Sequence, residues 1–205
     1  MEILTFVELI GRFKGTEDTN NNINHLIEYI YRLQENEPAG DNRSLVNGWQ
    51  NHKLLTDHEY DNEVQYLIRF ITEQFESYLK SYGPTKQYYW GINNLWTNVT
   101  PPGGFNRVHM HTGCQFSGIF YLKGSPDAGE LILYNPMNTS NLALNYVDLC
   151  PRQQMCYSIA PIRNTGAFFS SGLHHRVDIN NSKEDRISIS FNIRVNDFLP
   201  PSASR

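Results

Sequence analysis

Cysteine is scarce in this 205-residue chain, limited to Cys114, Cys150 and Cys156. An odd set with no CxxC spacing argues against a disulfide framework or a structural zinc site, so the three read as reduced, buried thiols. Positive charge is also short. Lys and Arg number 17 against 21 Asp and Glu, giving a formal charge of −4. No Lys/Arg block supplies the basic face of a general nucleic-acid binder. Long apolar runs are missing, since none approaches the ~18 residues of a membrane-spanning helix. The opening MEILTFVELIGRF is too short and too charged for a signal peptide, so the expected location is the cytoplasm. There is no internal repeat and no low-complexity segment. A chain of this length can bury one sizeable core, and a single domain over 1–205 is expected.

The hydrophobic period changes along the chain. In TNNNINHLIEYIYRLQEN, Ile23, Leu26, Ile27, Ile30 and Leu33 recur at helical spacing behind Asn residues able to cap. DNEVQYLIRFITEQFESYLKSYG repeats the pattern through Val64, Leu67, Ile68, Ile71, Phe75 and Leu79, and Gly83-Pro84 stops it. SLVNGWQNHKLL between them reads as loop or extended chain. Residues 1–86 thus form a helical support region. From 87 to 197 the period is two, with short strands in YYWGINNLWTNVT, RVHMH, FSGIFYLKG, GELILYNP, YSIAPIRNTGAFFSSG, LHHRVDI and DRISISFNIRV. PPGGF reads as a turn and KGSPDAGE as a hairpin-like connection. Residues 198–205 are a tail. Seven or eight strands at this spacing predict a β-sandwich or barrel with helices on one outer face. The irregular stretch 136–158 has the length of a lid or binding loop.

Four of the seven histidines fall in two pairs. His109 and His111 share a strand face, with Met110 opposite. In LHHRVDI, Leu173, His175 and Val177 share the apolar face, so His175 points inward and His174 to the surface. Two imidazoles from one strand and one from another can bind one side of a metal and leave positions open for substrates. The alternative is that they are polar side chains satisfied in the core. In RISISFNI, Ile187, Ile189, Phe191 and Ile193 form an apolar face suited to packing beneath helices. Arg186, Ser188, Ser190 and Asn192 form the other, suited to a barrel lumen. A guanidinium facing an interior needs an anionic partner. A small-molecule carboxylate would fit its fork, with the Ser188 hydroxyl on the same group.

Together these residues resemble the iron(II)- and 2-oxoglutarate-dependent oxygenases, in particular a 2OG-Fe(II) oxygenase family of bacteria and phages related to the prolyl-4-hydroxylases. NGWQNHKLL, VHMHTGCQFSGIFYL, GELILYNP and GAFFSSGLHHRVDINNSKEDRISISFNI carry the resemblance over residues 46 to 193. It implies a double-stranded β-helix (jelly-roll) core. It implies Fe(II) on His109 and His175, and 2-oxoglutarate held through its far carboxylate by Arg186 with Ser188 assisting. The activity implied is hydroxylation of a C–H bond, with O2 consumed and succinate and CO2 released. The family's second ligand is Asp or Glu, two residues after the first His, and here that position is His111. His111 then either binds as a third imidazole or stands beside a water-filled position. A carboxylate from Asp127 or Glu130 is the less favoured option.

Asn98 and Thr100 are candidate cosubstrate contacts. Trp96, Tyr134 and Arg152 are candidate substrate contacts for a small molecule or peptide, with Trp90 and loop 136–158 nearby. A three-histidine iron dioxygenase that ignores 2-oxoglutarate, and a non-enzymatic jelly-roll metal-binding module, remain as alternatives.

Overall fold

A computed structural model describes residues 8–41, 43–84, 88–136 and 156–196. Eleven strands form two antiparallel sheets among these residues. One sheet has six strands: β1 (Gly11–Lys14), β3 (Trp49–Asn51), β4 (Tyr89–Thr100), β6 (Phe116–Lys123), β9 (Thr165–Ser170) and β11 (Arg186–Asn196). Their spatial order is β1-β9-β6-β11-β4-β3. The other has β2 (Leu45–Val46), β5 (Phe105–His109), β7 (Leu131–Tyr134), β8 (Cys156–Ile159) and β10 (His175–Val177), in the order β2-β5-β10-β7-β8. The architecture is mainly β, with two antiparallel sheets and two helices, as in a double-stranded β-helix.

Helix α1 spans Glu17–Asn36 and α2 spans Asn62–Lys80. The first begins earlier than its Asn cluster suggests. Thr16 is the N-cap, its hydroxyl accepting from the Thr19 backbone N–H at 3.2 Å, and the Asn residues lie inside the opening turns. The apolar stripes of both helices pack on the outer face of the six-stranded sheet, against Phe120, Leu122, Phe168, Ile187, Ile189, Phe191 and Ile193. A second cluster, including Ile119, Leu131, Leu133, Phe169, Leu173 and Val177, fills the space between the sheets. Strand alternation decides which cluster each residue joins. Among the described residues, no helix is long and apolar enough to cross a membrane.

Three expectations need correction. Residues 1–86 are more than helical support, because β1 and β3 extend the six-stranded sheet and β2 the five-stranded one. KGSPDAGE is not hairpin-like, since β6 and β7 belong to different sheets. Its one 3-10 turn, Pro126–Ala128, carries the chain across. YSIAPIRNTGAFFSSG is two strands in different sheets, broken near Asn164, which adopts φ +62°. The PPGGF turn likewise passes from sheet to sheet, with Gly103 at φ +83°.

Candidate metal centre

β5 and β10 are antiparallel neighbours, and their register sets His109 directly opposite His175. His111 follows just beyond the end of β5, its backbone N–H donating to Ser171 O at 2.9 Å. The three rings converge, with centroids 4.2 Å apart for His109 and His175, 5.0 Å for His111 and His175, and 5.1 Å for His109 and His111. One candidate ligand atom from each lies within 4.8 Å of the others. Nitrogens sharing one ion at about 2.1 Å lie no more than about 4.2 Å apart, so a small inward rotation completes the set.

The supporting hydrogen bonds decide which nitrogens are free. Nδ1 of His109 donates to Arg107 O at 2.7 Å, and Nδ1 of His175 donates to Leu173 O at 2.9 Å. Nδ1 of His111 donates to Asn192 Oδ1 at 2.6 Å. The amide of Asn192 is held the right way round because its Nδ2 donates to Asn94 Oδ1 and its Oδ1 also accepts from Ser117 Oγ. Each ring therefore carries its proton on Nδ1 and offers the Nε2 lone pair, the tautomer a metal ligand needs. Burial is the main force keeping the rings neutral. It lowers the pKa of His109, and takes His111 to about 4 and His175 to about 3, with neighbouring imidazoles adding to it. A trio of converging neutral imidazoles fits a divalent transition metal. Neither Asp127 nor Glu130 joins the group.

One cavity is lined by all three histidines together with Arg186, Ser188, Asn98 and Trp96. It is narrow, with about 40 Å³ open, so a cosubstrate must part its walls to enter. Arg186 is 2% exposed, and its Nη1 donates to the carbonyls of Ala128, Gly129 and Asp178. Gly129 (φ +88°) is required there, because a Cβ would lie 2.7 Å from Nη1. Among the described residues no carboxylate pairs with this guanidinium, whose pKa is lowered by burial. Asp178, the nearest acid by its influence, pairs with Arg176. The Tyr121 hydroxyl nearby is buried without a hydrogen-bond partner, and burial raises its pKa to about 12. A buried cation with a polar orphan beside it fits an anion supplied from outside the chain, as the far carboxylate of 2-oxoglutarate would be.

Other candidates fall elsewhere. Thr100 is buried opposite Arg186 in the β4–β11 register but does not line the cavity. Tyr134 sits on the opposite face of its strand from Leu133, its hydroxyl accepting from Arg176 Nη1 at 2.8 Å, and it lines neither cavity described for this region. Trp90 packs on Phe75 in the helix-side core. His174 is exposed. Cys114 is half-buried and Cys156 exposed, so burial is not general to the cysteines. Arg152, Cys150, most of loop 136–158 and the tail 198–205 lie outside the described residues. The sequence reading passed over Asn192 and Ser117 as His111 supports, and over Tyr121 and Gln50. Gln50 Nε2 donates to Asn98 Oδ1 at 2.6 Å, fixing that amide toward Ser188 and Ser190. Parity in FSGIFYL was the available signal, because Ser117, Ile119 and Tyr121 share the lumen face.

A jelly-roll whose lumen gathers three metal-competent imidazoles and a buried guanidinium has the donor set of a non-heme metal centre in a double-stranded β-helix. Residues 94–192, the segment bearing this site, match the family model described as "Putative 2OG-Fe(II) oxygenase". That description names Fe(II) and 2-oxoglutarate as metal and cosubstrate, and the three converging histidines fit such a metal. No curated protein matches the chain. Solved structures share the fold. A prolyl-4-hydroxylase of Pseudomonas putida aligns at TM-score 0.63 and 13% identity over 90% of this chain and 91% of that one. AviO1 of Streptomyces viridochromogenes Tue57 aligns at TM-score 0.64 and 11% identity over 95% and 92%. HygX of Streptomyces hygroscopicus, solved with nickel and 2-oxoglutarate, aligns at TM-score 0.60 and 10% identity over 90% and 82%.

Proposed function

We propose that the chain is a hydroxylase that uses Fe(II), 2-oxoglutarate and O2, with His109, His111 and His175 as the metal ligands. The observation carrying this reading is that three Nε2 lone pairs, each freed by an Nδ1 hydrogen bond, share one cavity with a buried guanidinium lacking an acid partner. Bound there, Fe(II) and 2-oxoglutarate supply oxygen activation coupled to decarboxylation of the cosubstrate to succinate and CO2. The chain's own residues hold and orient. Arg186 and Ser188 take the far carboxylate, and Asn98 fixes the serines of the same face. The apolar side chains of Leu131, Phe169 and Val177 keep water from the reacting end.

The test is anaerobic titration of the protein with Fe(II) and then 2-oxoglutarate. A metal-to-ligand absorption band should grow to one equivalent, and Arg186→Gln should weaken the 2-oxoglutarate step. Absence of the band, with no succinate formed on admitting oxygen, rejects the reading. One observation favours a second reading, a three-histidine dioxygenase without 2-oxoglutarate: no carboxylate belongs to the ligand group among the described residues. Oxygen uptake that ignores 2-oxoglutarate would select it. It leaves the buried guanidinium without an occupant unless the substrate brings its own carboxylate.

A further inference from the structure

A second, open cleft lies against the same histidines. Its volume is about 480 Å³, within the range of small-molecule sites, and His109, His111 and Trp96 line both spaces. The proposed function uses the narrow chamber and leaves this cleft unassigned. Its charge is one-sided. Arg43 and Arg107 line it, and no Asp or Glu does among the described residues. Both arginines lie by the β2–β5 pairing: Leu45 is opposite Asn106, Arg107 N–H donates to Ser44 O, and Arg43 precedes Ser44 in the chain. Both are exposed, and neither guanidinium has an ion-pair partner among the described residues. Asp41 is not among the lining residues, and its carboxylate accepts the backbone N–H of His52 at 3.1 Å.

The floor adds no negative charge. Position 111 would present a carboxylate in the usual ligand set, and here it presents an imidazole. His52 forms part of the wall, stacked on Trp96 at 5.1 Å, and its buried Nε2 has no hydrogen-bond partner. Val108 and Met110, 52% and 47% exposed, give the rim an apolar edge. The chain as a whole is acidic at −4, so this basic opening is local and not a reflection of net charge.

We infer that the cleft receives the primary substrate, and that this substrate carries an oxyanion, a carboxylate or a phosphate, held by Arg43 and Arg107 with an apolar body against Val108 and Met110. The assignment of the cleft to the primary substrate rests on the oxygenase reading. The anion preference rests on the cleft alone.

The full-length protein, loaded anaerobically with Fe(II) and excess 2-oxoglutarate so that Arg186 is occupied, is titrated with inorganic phosphate, hexanoate and hexanamide. The readout is the indole N–H resonance of Trp96. At least one anion should give a saturable shift. Hexanamide should bind about tenfold more weakly or not at all, and R43Q/R107Q should weaken anion binding by about tenfold or more. Lys14→Gln, on β1, should change nothing. Phosphate binding without hexanoate identifies a phosphate-bearing substrate, and the reverse identifies an apolar carboxylate. No saturable shift with either anion, equal binding of hexanamide, or unchanged anion binding in R43Q/R107Q overturns the inference. The absorption band of the iron–2-oxoglutarate complex is recorded in the same samples. A band without anion binding defeats this inference alone, and anion binding dependent on the two arginines without a band defeats the oxygenase reading alone.

Discussion

The two faces of β11 divide the molecule. On the helix side, Ile187, Ile189, Phe191 and Ile193 are each 0% exposed and bury nothing polar. On the lumen side, Arg186, Ser188 and Asn192 are nearly as buried, at 2%, 3% and 8%, yet every one of them is polar. Burial is almost equal, and the chemistry is opposite. The helix side gains from each side chain removed from water. The lumen side loses solvation and recovers it through directed bonds, Arg186 to three carbonyls and Asn192 to His111. One strand therefore carries an apolar core on one face and the candidate site on the other, and substitutions should separate the two.

The largest effect should come from the apolar face. Phe191→Ala leaves a void beside Phe168 and should lower unfolding free energy by about 3–5 kcal/mol in denaturant melts, while the folded fraction keeps its metal affinity. Asn192→Leu, on the polar face, should do the reverse. Removing the acceptor that fixes the His111 tautomer should weaken metal binding by about 10–100-fold in a competition assay, with a smaller change in stability.

Acid should act strongly on the lumen side. His111 and His175 have folded pKa values near 4 and 3 against 6.5 unfolded, so between those values the unfolded chain binds protons that the folded chain refuses. Metal-free stability should be level above about pH 6.5 and fall as the pH drops below it. His175→Leu should flatten that fall. The smallest effect is expected at His174, exposed and outside both cavities. His174→Asn should shift stability by no more than about 0.5 kcal/mol and leave metal binding unchanged.

Parity explains how much of this was legible in the sequence. Alternation in RISISFNI and LHHRVDI placed Arg186 and Ser188 in the lumen, His175 inward and His174 outward, because a buried strand face is written every second residue. Periodicity placed both helices for the same reason. β1 was not legible, and β2 and β3 were read only as loop or extended chain. They have four, two and three residues, and what makes them strands is pairing with chain far away, such as Gly11 with Phe168. The connection through Pro126–Ala128 looked like a hairpin because its composition is that of any turn. In the fold it crosses between the sheets and presents the carbonyls of Ala128 and Gly129 to Arg186. Asn192 and Ser117 were missed as partners of His111 because their sequence positions are 81 and 6 residues away, and only the fold joins them.

The role of His111 is the central question, because it stands where a carboxylate was expected. Metal affinity can be measured by competition for His111→Ala and His111→Asp beside the parent chain and His174→Asn. If three imidazoles hold the metal, His111→Ala should lose affinity on the order of 100-fold or more, His111→Asp should retain a tight site, and His174→Asn should match the parent. Parent-like affinity in His111→Ala would contradict the three-histidine centre.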